Sequence, residues 1–534
     1  MTDMTNTLTD LISHSASNYP DGVAIIDRDN TWTYSALLES SQRLATGLQN
    51  LGIGTGDRVA FWLPNIAAYL ALHLACGRLG AITVSVNTRF RSSEVGDIVG
   101  RSGARAMILW PTFKDLPFLD ILADVPADDL KALEHFIVYD EGEAQPDLPA
   151  ALQNIKQVPY SDLATSDLAE FDFATEDMGT IIFTTSGTTA APKFVLHSQA
   201  SIVRHARNVA RFFGYDAEDT VMLQAVPLCG TFGHAQAMAT LSVGRPMISM
   251  PVFSGQAAAA AMHAHKVTNF NGSDEMFALI LEAGEGERPY PLFRFGGYAA
   301  FNPAFADILE RADKRDMILC GLWGMSEMQA LYGLQDPAAD VETRLLAGGR
   351  TTSDEAKVRT RDPETGDLRP HGQAGEIEAS GPSRMKEYFG DKAATAKALT
   401  DDGYVRTGDL GYTTSDTSFV FLSRMGDVLR LGGFLVNPAE IENHLEAHPL
   451  VTAAQVVGVD TETGTRPYAF VIPAPGVEFE STQVLAHCAD GMAKFKVPLA
   501  ITVVEEFPTT ASANGVKIQR KTLREMAMAE LDGS

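Results

Sequence analysis

The chain has 534 residues, 45% hydrophobic and 21% charged, the make-up of an ordinary globular protein too long for a single core. Its 42 basic and 68 acidic residues leave a net charge of −26. A surface of that sign repels nucleic acid and anionic membranes, so a polyanionic ligand would have to be gripped locally, by a few placed cations and backbone donors.

Cys76, Cys229, Cys320 and Cys488 stand far apart with no paired spacing, which argues against a disulfide framework or a zinc site and for a reducing cytoplasm. The stretch from Met1 to Ile12 lacks the basic cluster of a secretory signal. No apolar run approaches the ~20 residues of a bilayer span. A cytoplasmic protein without a membrane span is expected.

Leu8 to Ser17 reads as a short amphipathic helix closed by Tyr19-Pro20-Asp21-Gly22. Thr33-Tyr34-Ser35 caps a longer one, in which Leu37, Leu38, Leu44, Leu48 and Leu51 recur near helical spacing before Gly52 ends it. Gly52-Ile53-Gly54-Thr55-Gly56-Asp57 has the wrong spacing for a dinucleotide fingerprint and precedes a strand, Arg58 to Leu63, so it reads as a turn. Helix Ala67 to Leu79, strand Ala81 to Val86, helix Ser92 to Ser102 and strand Ala104 to Leu109 alternate as in a helix-flanked, mostly parallel sheet. Asp140 to Asp177 is acidic and proline-containing, a plausible surface connection.

Ile181-Ile182-Phe183 then reads as the end of a buried strand, followed by Thr184-Thr185-Ser186-Gly187-Thr188-Thr189-Ala190-Ala191-Pro192-Lys193. Small side chains let backbone N–H groups converge on an anion, the hydroxyls add donors and the lysine adds charge. Taken alone, such a run is as often an ordinary turn. Helix Gln199 to Phe213, strand Val221 to Ala225, helix Gly233 to Leu241 and strand Met247 to Met250 resume the alternation, and the Ala257–Ala261 run reads as one more packed helix. From Glu355 to Leu422 short strands punctuated by Gly, Asp and Pro suggest a β subdomain. Beyond Arg424, helix Pro438 to His448, strands Val451 to Val459 and Ala469 to Ile472, and helix Thr482 to Met492 make a compact α+β unit.

Several of these stretches, in order, resemble the motifs of the adenylate-forming superfamily, which includes AMP-forming acyl-CoA synthetases and other acid–CoA ligases. Thr184 to Lys193 is similar to its loop over the β- and γ-phosphates, with Thr184, Thr185, Ser186, Gly187, Thr188, Thr189 and Lys193 as contacts. Gly321-Leu322-Trp323-Gly324-Met325-Ser326-Glu327 resembles its Tyr-Gly-x-Thr-Glu element. There Trp323 and Gly324 would lie against adenine, Ser326 would meet phosphate and Glu327 would hold Mg²⁺. Tyr404 to Asp409 resembles the segment whose aspartate takes the ribose hydroxyls, and Arg424 the arginine that also reaches the ribose. Lys517-Ile518-Gln519-Arg520 resembles the terminal segment whose lysine enters the site for adenylation.

The resemblance implies a large N-terminal domain, residues 1–423, of two helix-flanked, mostly parallel sheets to about residue 350 and a small β-barrel subdomain over about 351–423, with a mobile α+β lid over 424–534. It implies ATP and Mg²⁺, with CoA as co-substrate, for activation of a carboxylic acid to acyl-AMP and then a thioester. Gly426 stands at the hinge position, and Gly432, Gly433 and Phe434 where the pantetheine path should run, a place equally suited to a hairpin turn. The acyl pocket would be lined by Gly230, Phe232, Gly233 and His234, by Gly296, Gly297 and Tyr298, and by Gly321, Leu322 and Met325. For His234 a packed, hydrogen-bonded core histidine is the alternative.

Ala190 and Phe194 replace glycines of the family loop, and an alanine forced to φ > 0 costs about 1 kcal/mol. The element Pro227-Leu228-Cys229-Gly230-Thr231-Phe232-Gly233 has glycine where an aromatic or histidine is common, and Asn514-Gly515-Val516 precedes the terminal lysine. No Asp or Glu occurs between Val221 and Ser273, which disfavours α-amino acids because a buried ammonium needs a counter-charge. A medium-sized aromatic, cyclic or short-to-medium aliphatic acid is expected. Loading of a carrier protein, or a nucleotide-binding relative impaired in catalysis, are the rival readings, and a homodimer is left open.

Overall fold

Helix Ala67–Leu79 is apolar on every side, and all of its residues are buried in the computed structural model, the place for a helix with no polar face. Gly80 ends it at φ 69°, the left-handed geometry that glycine adopts at no steric cost. The structure describes residues 6–141, 145–184, 192–301, 305–431, 434–461, 464–512 and 515–532. Hydroxyl caps start the helices as expected: Thr33 accepts from the Ala36 N–H before Tyr34–Asn50, and Ser198 from that of Ser201 before Gln199–Phe212.

An eight-stranded sheet runs Glu387–Tyr388, Phe194–Ser198, Gly179–Thr184, Ile82–Ser85, Arg58–Trp62, Ala106–Leu109, His135–Val138 and Lys156–Pro159. It is parallel from Gly179–Thr184 onward and antiparallel at the first two strands. Several of its members, His135–Val138 among them, go beyond the strands expected from the sequence. The acidic connection 140–177 contributes the edge strand Lys156–Pro159 and the short helix Tyr160–Ala164. Phe194, read as a disturbance of the loop, is a strand residue paired with Thr184, buried and covered by the Arg101 guanidinium 4.3 Å from its ring centre. Extended backbone there has no use for glycine.

A ten-stranded sheet begins parallel with Gly272–Ser273, Gly296–Ala299 and Leu319–Met325. It turns antiparallel at Gln329–Leu334 and continues through Gly348–Thr351, Ser418–Arg424, Val405–Ser415, Gly375–Ser380, Lys357–Arg361 and Leu368–Arg369. The boundary expected near residue 350 therefore falls inside one hydrogen-bonded sheet. A four-stranded sheet, Met222–Gln224, Met247–Ser249, Val23–Asp27 and Asn30–Thr33, is tied to it by bridges through Asn269.

Beyond Arg424, Val451–Thr461 and Gly464–Pro473 pair antiparallel, Ile501–Val503 adds a parallel strand, and helices Pro438–Glu446, Ser481–Gly491 and Arg520–Asp532 follow in chain order. This unit has its own cores, around Ile441, Val456 and Val484 and around Phe470 and Leu523. Asn437 joins it to the rest of the chain: its Oδ1 caps Pro438–Glu446, and its Nδ2 donates to the Leu422 carbonyl at 3.2 Å.

Candidate active site

Strand Gly179–Thr184 pairs parallel with Ile82–Ser85, and ligands of open α/β sheets bind beyond the carboxyl ends of such strands. Thr184 is the last residue of that strand. Thr185, Ser186, Gly187, Thr188, Thr189 and Ala190 lie outside the described residues. Lys193 is described, and its Nζ sits 4.7 Å above the ring centre of Tyr388 and 3.5 Å from the phenolic oxygen. The Tyr388 hydroxyl donates to Glu327 Oε1 at 2.6 Å. The phosphate-loop lysine and the proposed metal carboxylate thus meet through one tyrosine that sequence reasoning missed.

Glu327 follows strand Leu319–Met325 in a tight hairpin whose far limb is Gln329–Leu334. Gln329 at φ 59° and Leu331 at φ 63° are held in the left-handed region, strain that persists only where neighbours over-determine it. The neighbours are visible. His197 Nε2 donates to the Ser326 carbonyl at 2.8 Å, His205 Nε2 to that of Ala330 at 2.7 Å, and Gln329 Nε2 to that of Ser201 at 2.9 Å. The Met385 N–H donates to the Glu327 carbonyl at 2.7 Å. Burial lowers both histidines to about 4, so each is a neutral imidazole whose one N–H is fixed by a carbonyl. Gly324 is demanded by the same closeness, since a Cβ there would lie 2.5 Å from Ala330 Cα.

Trp323 is buried on edge against Tyr332 and Phe419, and its Nε1–H donates to Asp409 Oδ2 at 2.9 Å. Asp409 stands directly across the sheet from Arg424, whose Nη1 lies 2.8 Å from Oδ1 but off the hydrogen-bond direction. Oδ1 therefore has a charge beside it and keeps its hydrogen-bond capacity, the condition for accepting from a ligand hydroxyl. Burial is the main cause that pushes the Asp409 carboxyl up to about 6, opposed by Arg424 and Trp323 and helped by the nearby charge of Glu327. Lys193, Glu327 and Asp409 thus ring one region.

The expected acyl-pocket residues also gather, in a form the sequence does not reveal. Gly296, Gly297 and Tyr298 pair in register with Leu319, Cys320 and Gly321. A Cβ on Gly297 would lie 2.8 Å from Leu322 Cδ2, one on Gly321 2.1 Å from the Leu346 carbonyl oxygen, one on Gly296 2.5 Å from Phe277 Cζ, and one on Gly233 2.3 Å from the Val226 carbonyl oxygen. These glycines permit close packing, whatever their backbones also line. Gly230 caps helix Thr231–Ser242, Phe232 is buried at its start, and Met325 packs beside Trp323. The Tyr298 hydroxyl donates to the Leu345 carbonyl, and burial raises its pKa. His234 is fully buried, its Nε2 facing His73 Nε2 at 3.1 Å, so it occupies the core position given above as its alternative. Burial keeps both rings neutral.

Gly426 sits in the turn after Arg424 with nothing within 4 Å of its Cβ direction. Gly432 and Gly433 lie outside the described residues, as does the side chain of Phe434, whose backbone pairs with Leu431 in a hairpin. Lys517 lies in strand Gly515–Ile518 opposite Thr510, its side chain also outside the described set.

No three His, Cys, Asp or Glu side chains cluster as a metal cage among the described residues. Glu327 alone, a hard carboxylate with one oxygen on Tyr388, fits a cation that takes its other ligands from phosphates and water, as Mg²⁺ does. Among the described residues no helix is long and apolar enough to cross a membrane.

A feruloyl-CoA synthase from Amycolatopsis sp is 30% identical, covering 93% of this chain and 95% of its own length. An acyl-CoA synthetase named YngI from Bacillus subtilis is 28% identical over 97% of each chain. Among solved structures, ATP-bound MatB from Rhodopseudomonas palustris superposes with a TM-score of 0.81 at 23% identity, over 97% of this chain and 99% of its own, a likeness of fold. Residues 12–389 match the AMP-binding enzyme family and residues 440–514 its C-terminal domain. The chain belongs to the AMP-binding enzyme family.

Proposed function

We propose that the protein is an AMP-forming acid–CoA ligase. It activates a carboxylic acid with ATP, releasing pyrophosphate, and passes the acyl group to CoA as a thioester. The observation that carries this reading is the joining of Lys193 to Glu327 through Tyr388, with Asp409 and Arg424 beside them on Trp323. The relatives named acyl-CoA synthetase and feruloyl-CoA synthase support it.

A carboxylate is a poor acyl donor, since oxide is a bad leaving group, whereas an acyl-adenylate transfers its acyl group with AMP as the leaving group. Displacement at the α-phosphorus needs charge neutralised and the attacking oxygen held in line. Lys193 supplies a point charge beside the phosphates, and Asp409 accepts from the ribose hydroxyls through Oδ1 while Trp323 fixes Oδ2. Glu327 would hold Mg²⁺, which when bound neutralises phosphate charge. Lys517 would deliver a second cation to the attacking carboxylate and then leave, and Gly432, Gly433 and Phe434 would line the thiol's approach after rotation about Gly426.

For the acid, the stretch 221–273 has no carboxylate, and Asp274 just beyond it is bound to the backbone N–H groups of Glu275 and Phe301. This favours a medium-sized aromatic, cyclic or short-to-medium aliphatic acid without an amino group. The test adds ATP and a panel of such acids and measures pyrophosphate, with and without CoA. Pyrophosphate with acid alone, and thioester only with CoA, is the expected outcome. ATP binding without pyrophosphate for any acid would overturn it.

A further inference from the structure

Tyr388 comes from the chain of the ten-stranded sheet but lies on the edge of the eight-stranded one. The two-residue strand Glu387–Tyr388 pairs antiparallel with Phe194–Ser198, placing Tyr388 opposite Val195. Backbone bonds from Lys386 to the Leu196 carbonyl at 2.8 Å and from Phe389 to that of Phe194 at 2.7 Å fix it there. Its ring packs with Val195 and Met385, and its N–H donates to Thr395 Oγ1. The residue is therefore rigidly held, with its polar end between a lysine and a glutamate.

A phenol has one proton to give and an oxygen that can accept. Here the proton goes to Glu327 Oε1, so toward Lys193 the oxygen can only accept, while the ring face offers the ammonium a cation–π contact. The order of donation runs from Lys193 through Tyr388 to Glu327. A phenol is an uncharged group at neutral pH.

We infer that Tyr388 is a positioning residue that acts as a neutral spacer between Lys193 and Glu327. It keeps the two from closing into a direct ion pair and presents Glu327 Oε2 to the cation that accompanies the nucleotide. An ion pair formed between them would cancel two charges that a triphosphate and its divalent cation each need. A spacer that binds both without carrying charge holds the two apart without neutralising either. This inference rests on the reading of the site as an ATP site.

The test titrates ATP by calorimetry into wild type, Tyr388→Phe and Tyr388→Ala, in EDTA and over a range of Mg²⁺, with unliganded melting alongside. The phenylalanine variant keeps the ring and loses the hydroxyl. Its ATP affinity in EDTA should stay within about twofold of wild type, while the Mg²⁺ needed for half-maximal enhancement rises about five- to tenfold. The alanine variant should lose about tenfold in EDTA, as Lys193 turns to Glu327, and Glu327→Gln in the same chain should restore it. A phenylalanine variant with wild-type Mg²⁺ dependence, or an alanine variant not rescued by Glu327→Gln, overturns the spacer role. A wild type that binds no ATP overturns instead the reading on which it rests.

Discussion

The proposed nucleotide end and the proposed acyl end of the site are built from opposite materials. At the nucleotide end, charged side chains and the backbone beside them are fixed one by one: Glu327 by Tyr388, Asp409 by Trp323 and Arg424, and the Ser326 carbonyl by His197. At the acyl end half of the residues are glycines, and what matters is the backbone or side-chain carbon that fills each missing side chain's direction. A fixed charge announces one chemistry, whereas a packed glycine announces only closeness. That is why the reaction can be read from this chain and the acid cannot.

The widest gap between the two ends should come from removing the terminal lysine. Lys517→Ala should lower pyrophosphate-forming activity by about a hundredfold or more, while thioester formation from pre-made acyl-AMP changes little. Equal loss of both half-reactions would remove Lys517 from the nucleotide end altogether.

Asp409→Asn comes next. Exchanging a charged acceptor for a neutral one should weaken ATP binding about ten- to a hundredfold at pH 7.5. Because the Asp409 carboxyl is pushed up to about 6, wild-type affinity should fall as pH drops through 6, and the ratio of wild type to variant should shrink with it. Taking the ratio at each pH cancels titration of the phosphates themselves. The same shift has a definite sign for folding. A carboxyl raised in the folded state favours folding only at pH below its unfolded value near 3.8, and this contribution is lost as pH rises through about 6.

The smallest effect belongs to the acyl end. Leu322→Ala, which removes methyl groups beside Gly297, should shift preference among a homologous series of acids toward larger members by about tenfold in kcat/KM. Gly321→Ala, forced against the Leu346 carbonyl, should instead lower the melting temperature with the order of preference kept. If Gly321→Ala alters selectivity and Leu322→Ala does not, the contrast between the two ends fails.

How much could be read in advance follows the same division. Lys193, Glu327 and Asp409 stand out because a charge amid small or apolar residues is conspicuous, and helices such as Ala67–Leu79 because their period is local. Tyr388 and His197 were invisible. Their roles arise from contacts 195 and 129 residues distant in the chain, and nothing in Met385-Lys386-Glu387-Tyr388 marks a strand edge. Phe194 misled for the converse reason: an absent glycine suggested a distorted loop, where the backbone is an ordinary strand pair. Lys156–Pro159 was hidden because its partner, His135–Val138, not its own composition, makes it a strand.

The short strand Glu387–Tyr388 has one more consequence. It stitches the chain of one sheet to the rim of another, and Met385 next to it fastens the hairpin that carries Glu327. The span between the lysine and the glutamate is thereby set when the chain folds, before any nucleotide arrives. Both fastenings are backbone hydrogen bonds of the fold itself, so neither waits on a ligand.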